Sequence, residues 1–189
     1  MTILRAHIQG LWVAVATFAG DQLVKWLVSG PLALRALHEG RVINGQWDAA
    51  TPDIPLLPIF GLSWAENYGV SLGLFTANSD AQRWALVAMT GLIAAGVLIW
   101  MLRETRRADT LPLGLILGGA LGNILDRVAL GHVVDYADLH FGAWRPFLIF
   151  NLADVAITFG VLIILARSFL SREKQAGDTS EPAYPAPES

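Results

Sequence analysis

The 189-residue chain has no cysteine. Disulfides, thiolate metal ligands and thiol nucleophiles are thereby excluded together, and carboxylates, histidine and serine remain as the side chains able to carry chemistry. The redox compartment leaves no mark on such a sequence. Charge is also scarce: Asp, Glu, Lys and Arg make up 15% of residues against 54% hydrophobic, and the mean hydropathy is +0.49. An ordinary soluble domain carries about a quarter of its residues as charges, so this composition predicts a membrane protein. There is no basic stripe, and hence no nucleic-acid partner is expected. The net charge of -3 does not point to a basic partner either. Residues 175–189, QAGDTSEPAYPAPES, hold three acids and no Lys or Arg, which leaves the rest of the chain neutral. The sequence lacks HExxH, and its four histidines, His7, His38, His132 and His140, fall near span ends or in loops, so no metal centre is expected.

What is present is apolar length. Residues 8–28, 84–102, 111–130 and 146–166 are each long enough to cross a hydrocarbon core of about 30 Å at about 1.5 Å per residue. Arg5 ahead of the first run and Ala14, Val15 and Ala16 within it imitate a signal peptide, but hydrophobicity continues past the imitation cleavage site and three more spans follow. The second span has no ionisable group. The third, GLILGGALG at 114–122, repeats glycine at i, i+4 and i+8, the spacing that lets helices pack closely in lipid, and is expected at the centre of a compact bundle. The predicted fold is an all-α membrane protein, a four-helix transmembrane bundle with a small extracytoplasmic β/loop element, in one domain over residues 1–174. The tail 175–189 is expected to be disordered from its Pro, Ser and Glu content.

The Lys/Arg bias sets the expected orientation. RETRRAD, 103–109, has three arginines, and Arg167, Arg172 and Lys174 follow the fourth span, whereas the 55 residues of 29–83 contain Arg35, Arg41 and Arg83 alone. Both termini are therefore expected in the cytoplasm, with loop 29–83 outside. Alternation in LSWAENYG and the Pro, Gly and Trp content make that loop a strand-and-turn element.

With helix directions set, the intramembrane polar residues converge on one face. Asp21 and Lys25 lie in the outer part of span one, Asn123, Asp126 and Arg127 near the outer end of span three, Asn151 and Asp154 where span four begins, and Asp135 in the short loop between spans three and four. A carboxylate at membrane depth costs at least about 2.5 kcal/mol, so each needs a partner or a use. Asp21 and Lys25, at i and i+4 with the acid first, read as a structural ion pair as readily as a functional one. Asp126 and Arg127 point to different sides of a helix and should pair with other helices, in a structural or substrate-orienting role. His132, Asp135, Asp138 and His140 in HVVDYADLH form a weak metal pattern, read instead as solvated loop residues. GVSLG, 69–73, matches G-x-S-x-G formally but lacks the α/β sheet that motif requires.

Five motifs in order, DQLVK (21–25), NYG (67–69), GGALGNILDR (118–127), GHVVDY (131–136) and FNLAD (150–154), closely resemble lipoprotein signal peptidase, also called signal peptidase II, over nearly the whole chain to about residue 166. The resemblance implies a bacterial inner-membrane aspartyl endopeptidase that removes the signal peptide of prolipoproteins, cutting just before a cysteine that bears a diacylglyceryl group. It implies Asp135 of VVDY and Asp154 of FNLAD as the catalytic aspartates. Asp21, Lys25, Asn67, Gly69, Asn123, Asp126, Arg127 and Asn151 then support the site and the substrate, with no cofactor. Two features depart from the family: YGVSLGLF stands where small residues and then Phe are common, and the stretch between Lys25 and Asn67 is longer than usual.

The chemistry is reasonable on physical grounds too. Two carboxylates held close cannot both ionise, so one pKa rises and the pair shares a proton. One member then activates water against the scissile carbonyl while the other donates to the carbonyl oxygen and assists amine departure, without an acyl-enzyme. A monomer and membrane lipid suffice for this. The competing classes are a serine protease using Ser71, a metal-dependent lipid transferase using the acidic loop, and a four-helix transporter using the same polar groups as a path.

Overall fold

The computed structural model describes residues 3–46, 51–69 and 80–178. Their order is α1 (Ile3–Ser29), α2 (Leu34–Ile43), β1 (Ile54–Leu57), β2 (Phe60–Asn67), α3 (Asp80–Arg103), α4 (Arg107–Ala129), β3 (Val133–Leu139) and α5 (Leu152–Asp178). Helices α1, α3, α4 and α5 are long and apolar enough to cross a membrane. In α4 56% of the spanning window is buried, against 11–22% in the other three, which makes α4 the centre that the glycine repeat predicts. It packs on α1, α3 and α5. A Cβ on Gly114 or Gly118 would strike the α1 backbone at Gly10 or Ala14, and one on Gly119 the backbone at Ala153 of α5. Close approach, with no side chain between the backbones, is what these positions supply. Ala14, Ala94, Met101, Leu113 and Leu117 form the core between α1, α3 and α4.

At one end of the bundle lies an antiparallel sheet ordered β1-β2-β3. LSWAENYG forms most of the central strand, as its alternation predicts, and Ala65 pairs with Asp135 and Asn67 with Val133. Val28 of α1, Leu34 of α2, Trp64, Val134, Tyr136 and Ala137 form a second core that fixes the sheet to the helices.

Four expectations need correction. The segment joining spans three and four is a strand, not a loop, and supplies an edge of the sheet. Residues 29–83 include a helix, α2, whose Arg35 and Glu39 pair at i and i+4, 2.8 Å apart. The fourth span begins at Leu152, not residue 146. Pro146 has no N–H to donate, and Phe150 exchanges backbone bonds with Ala137 (Phe150 N to Ala137 O 3.1 Å, Ala137 N to Phe150 O 2.7 Å), so the chain bends at 146–147 and bridges to β3 at Phe150 instead of entering the helix. An unbroken apolar run carries no period to mark where extended chain gives way to helix. α5 continues to Asp178, past the expected start of the tail at 175, and residues 179–189 lie outside the described residues.

Candidate active site

Helix α5 starts inside the protein, and all of its early amides find partners. Leu152 N donates to Tyr136 Oη (3.1 Å), Ala153 N to Asp21 Oδ1 (2.9 Å), Asp154 N to Asn151 Oδ1 (2.9 Å) and Val155 N to Asn151 O (3.3 Å). Asn151 N in turn donates to Asp154 Oδ2 (3.3 Å). Asn151 and Asp154 therefore form a reciprocal capping box, which explains an Asn and an Asp three residues apart at the head of an apolar helix. The carboxylate also faces the positive end of the helix dipole.

Asp154 Oδ1 accepts from Asn123 Nδ2 of α4 at 2.9 Å. Asp135, buried in β3, accepts from Asn67 Nδ2 at 3.0 Å on Oδ2 and from Asn151 Nδ2 at 2.6 Å on Oδ1. Asn151 thus bonds to the Asp135 carboxylate through its side-chain amide and to the Asp154 carboxylate through its backbone N–H, and α4, β2, β3 and α5 each contribute to one polar cluster. Burial first, and then the Asp154 charge, push the Asp135 carboxyl from the usual carboxylate range up to about 6. Both causes act in one direction, since burial and a nearby like charge each disfavour the ionised carboxylate.

The NYG motif fixes one of these amides. Gly69 N donates to Asn67 Oδ1 (2.9 Å), which leaves Asn67 Nδ2 directed at Asp135. Gly69 has φ +99, so the backbone calls for glycine, while a Cβ there would meet only the end of the Leu86 side chain.

Beneath the aspartates lies a second polar layer. Lys25 Nζ reaches Asp21 Oδ2 (2.8 Å), Asp126 Oδ2 (2.8 Å) and Asn123 Oδ1 (3.1 Å), which uses all three of its donors. Asp126 also accepts from Val134 N (3.1 Å) and so holds the start of β3. Gln22 Nε2 donates to Asp126 Oδ1 (3.1 Å) and Asp21 Oδ2 (3.2 Å). Gly122 leaves room for this layer, since a Cβ on it would come within 2.5 Å of Asp21 Oδ2.

All ten sequence-predicted site residues meet here through hydrogen bonds. Arg127 differs from expectation in that its side-chain bond is to its own helix and not to another. Its Nη1 bonds to Asn123 O of its own helix (3.4 Å), and its buried Nε has no hydrogen-bond partner among the described residues. Asp154 and Asp135 are within electrostatic reach of its charge. Asp126 does pair with another helix, through Lys25. The HVVDYADLH set does not assemble. Asp138 is bound by Ser63 Oγ (2.7 Å) and by Arg145 Nε (2.7 Å) and Nη2 (2.8 Å), while the His132 ring lies tilted against Tyr68 (5.3 Å between centroids). Ser71 lies outside the described residues.

Sequence reasoning gave no role to Gln22, Tyr136 or Arg83, although the first two sit inside quoted motifs. Arg83 Nε and Nη2 bond to the carbonyls of Arg127 (2.7 Å) and Val128 (2.5 Å), which stops the last turn of α4 from fraying beneath Arg127. Tyr136→Phe should strand Leu152 N and cost about 1–3 kcal/mol, read as a lower melting temperature in detergent. A variant that melts with wild type would show that this bond contributes nothing.

The family model for signal peptidase (SPase) II matches residues 13–170. A lipoprotein signal peptidase from Sphingopyxis alaskensis is 48% identical over 174 residues, 92% of each chain. Another from Rhizorhabdus wittichii is 49% identical over 164 residues, 87% of each. A bacterial membrane enzyme solved by the in meso method at 2.3 Å resolution shares the fold, with a TM-score of 0.65 at 22% identity over 93% of this chain and 94% of that one. With four helices long and apolar enough to cross a membrane, a family model matched over most of the chain and relatives matched nearly end to end, the chain belongs to the signal peptidase II family of aspartic peptidases.

Proposed function

We propose that the chain removes the signal peptide from diacylglyceryl-modified bacterial prolipoproteins, cutting immediately before the lipidated cysteine, with Asp135 and Asp154 as the catalytic pair. The observation that carries this reading is the bonding of Asn151 to both carboxylates, through its side-chain amide to Asp135 and its backbone N–H to Asp154, together with the raised carboxyl of Asp135. The pair holds one proton. The ionised member takes a proton from water, whose oxygen attacks the scissile carbonyl carbon, and the protonated member donates to the carbonyl oxygen. Collapse of the tetrahedral intermediate breaks the C–N bond, and the amine leaves with a proton from the pair. Asn67, Asn123 and Asn151 aim the carboxylates, and Arg127, with spare donors beside both, holds a substrate carbonyl.

The site faces the outer leaflet of the inner membrane, with both termini cytoplasmic, where a lipidated cysteine can keep its acyl chains in the bilayer during cleavage. The Arg-rich 103–109 loop and the charges after the fourth span support that orientation. A monomer suffices, since every proposed group belongs to one chain. Purified protein should convert a lipid-modified prolipoprotein to the shorter form on a gel, equally with and without EDTA, and leave the unlipidated precursor intact. No shift, or a shift abolished by EDTA, would overturn the reading. Reporters fused after Lys174 should be active in the cytoplasm; activity that requires export would put the site on the wrong face.

A further inference from the structure

At the end of the sheet farthest from Asp135, the usual placing of polar and apolar side chains is inverted. Between Leu139 and Asn151 the ionisable residues are His140 and Arg145, and both turn inward. Arg145 binds Asp138, which is fully buried, and His140, also buried, sits with Nδ1 3.3 Å from Asp138 O. The large apolar side chains point out. Phe141, Trp144, Phe147 and Leu148 are exposed, Trp144 to 65% and Leu148 to 73%. The β1-β2 turn beside them continues the surface with exposed Leu57 and Ile59, tied by a bond from His140 N to Ile59 O (3.0 Å).

An apolar surface of this extent around a buried charged centre is what a lipid environment selects and water penalises. From it we propose that this end of the sheet, residues 141–148 with the β1-β2 turn, is seated in the acyl-headgroup boundary of the bilayer that α5 crosses. Continuity decides for lipid over a protein partner. Leu148 lies four residues before the first residue of α5, exposed apolar side chains continue along that helix with Leu152 and Phe159, and the Phe150 to Ala137 bonds prevent the sheet from lifting away from the helix. Trp and Phe at this level match the aromatic belt of membrane proteins. Asp138 is three residues from Asp135 on the same strand, so seating the strand's end fixes the depth of the aspartates relative to lipid. The inference goes beyond the proposed reaction and does not depend on it.

Because the chain has no cysteine, single labels are unambiguous. Trp144→Cys, Phe147→Cys and Leu57→Cys, each nitroxide-labelled in the full chain in phosphatidylcholine and phosphatidylglycerol vesicles, should show high collision rates with oxygen and low rates with a water-soluble nickel chelate. Leu92→Cys on exposed α3 gives the lipid reference and Thr105→Cys, in the loop before α4, the aqueous one. Values near Thr105→Cys would overturn the proposal. So would nickel protection that disappears when the protein is diluted tenfold with lipid, which would mean that a second copy covers the surface. For a measurement on unaltered protein, a lipid-borne diazirine should leave adducts on peptides spanning 141–148, and their absence would equally sink it.

Discussion

Asp135→Asn and Asp154→Asn should each abolish processing of lipid-modified prolipoprotein, on the order of 10⁴-fold or more in kcat, with substrate binding retained. Asn matches Asp in shape but cannot pass a proton. The double variant should lie within about tenfold of either single one, because residues that act as one unit do not add. Stability should change little, for a reason visible in the hydrogen bonds. Both oxygens of Asp135 accept from amide donors, Asn67 and Asn151, and both oxygens of Asp154 accept from Asn123 and from the Asn151 backbone. An Asn at either position sets an NH₂ against a donor, at about 1–3 kcal/mol, and so offsets what is gained by removing a buried charge. pH dependence separates the two effects. Asp135 rises from 3.8 to about 6 on folding, so between those values the native state binds the proton that the unfolded chain has released. Stability should then fall by up to about 3 kcal/mol as pH climbs from about 4 to 6 and level off above. In Asp135→Asn that fall should vanish. If either Asn variant still cleaves at near wild-type rate, the two-aspartate reaction is wrong for this chain.

Lys25→Met should have the largest effect on folding. Methionine keeps the length of the stem and removes the one cation that Asp21, Asp126 and Asn123 share. Two buried carboxylates would then face each other unneutralised, and breaking a buried pair from one side costs about 3–5 kcal/mol, much of the stability of an ordinary domain. The damage should spread, because Asp21 also holds Ala153 N at the head of α5 and Asp126 holds Val134 N at the head of β3. Folded yield in detergent should collapse, and activity with it. Asp126→Asn added to Lys25→Met should recover part of the yield by removing one stranded charge. A Lys25→Met protein that melts like wild type but does not cleave would move Lys25 from the scaffold into the reaction.

The sequence alone determined how many spans there are, their order, and the end of the bundle where the polar residues gather, since each follows from local counting: run length, glycine spacing and carboxylates too costly to leave unpaired in lipid. A strand within LSWAENYG, 62–69, was legible by the same means, because alternation has a period of two, and β2 covers 60–67. What it did not determine was how the polar residues divide their work. Asp21 and Lys25 have the spacing of a private ion pair, yet Lys25 is shared among three groups on two helices, and Asp21 spends an oxygen on an amide 132 residues away. Neither partner lies within reach of any local pattern. The boundary at Leu152 was hidden because helical and non-helical apolar chain look alike until something pairs with the non-helical part, and β3 does so at Phe150. The tertiary structure decided that Asn151 caps a helix instead of lying within one, that Tyr136 holds the next amide, and that Asp135 comes to the network by a register in which Ala65 sits opposite it. The physical reason is common to all three: an orphan N–H or a buried carboxylate must be satisfied, but which distant group satisfies it depends on how the elements pack.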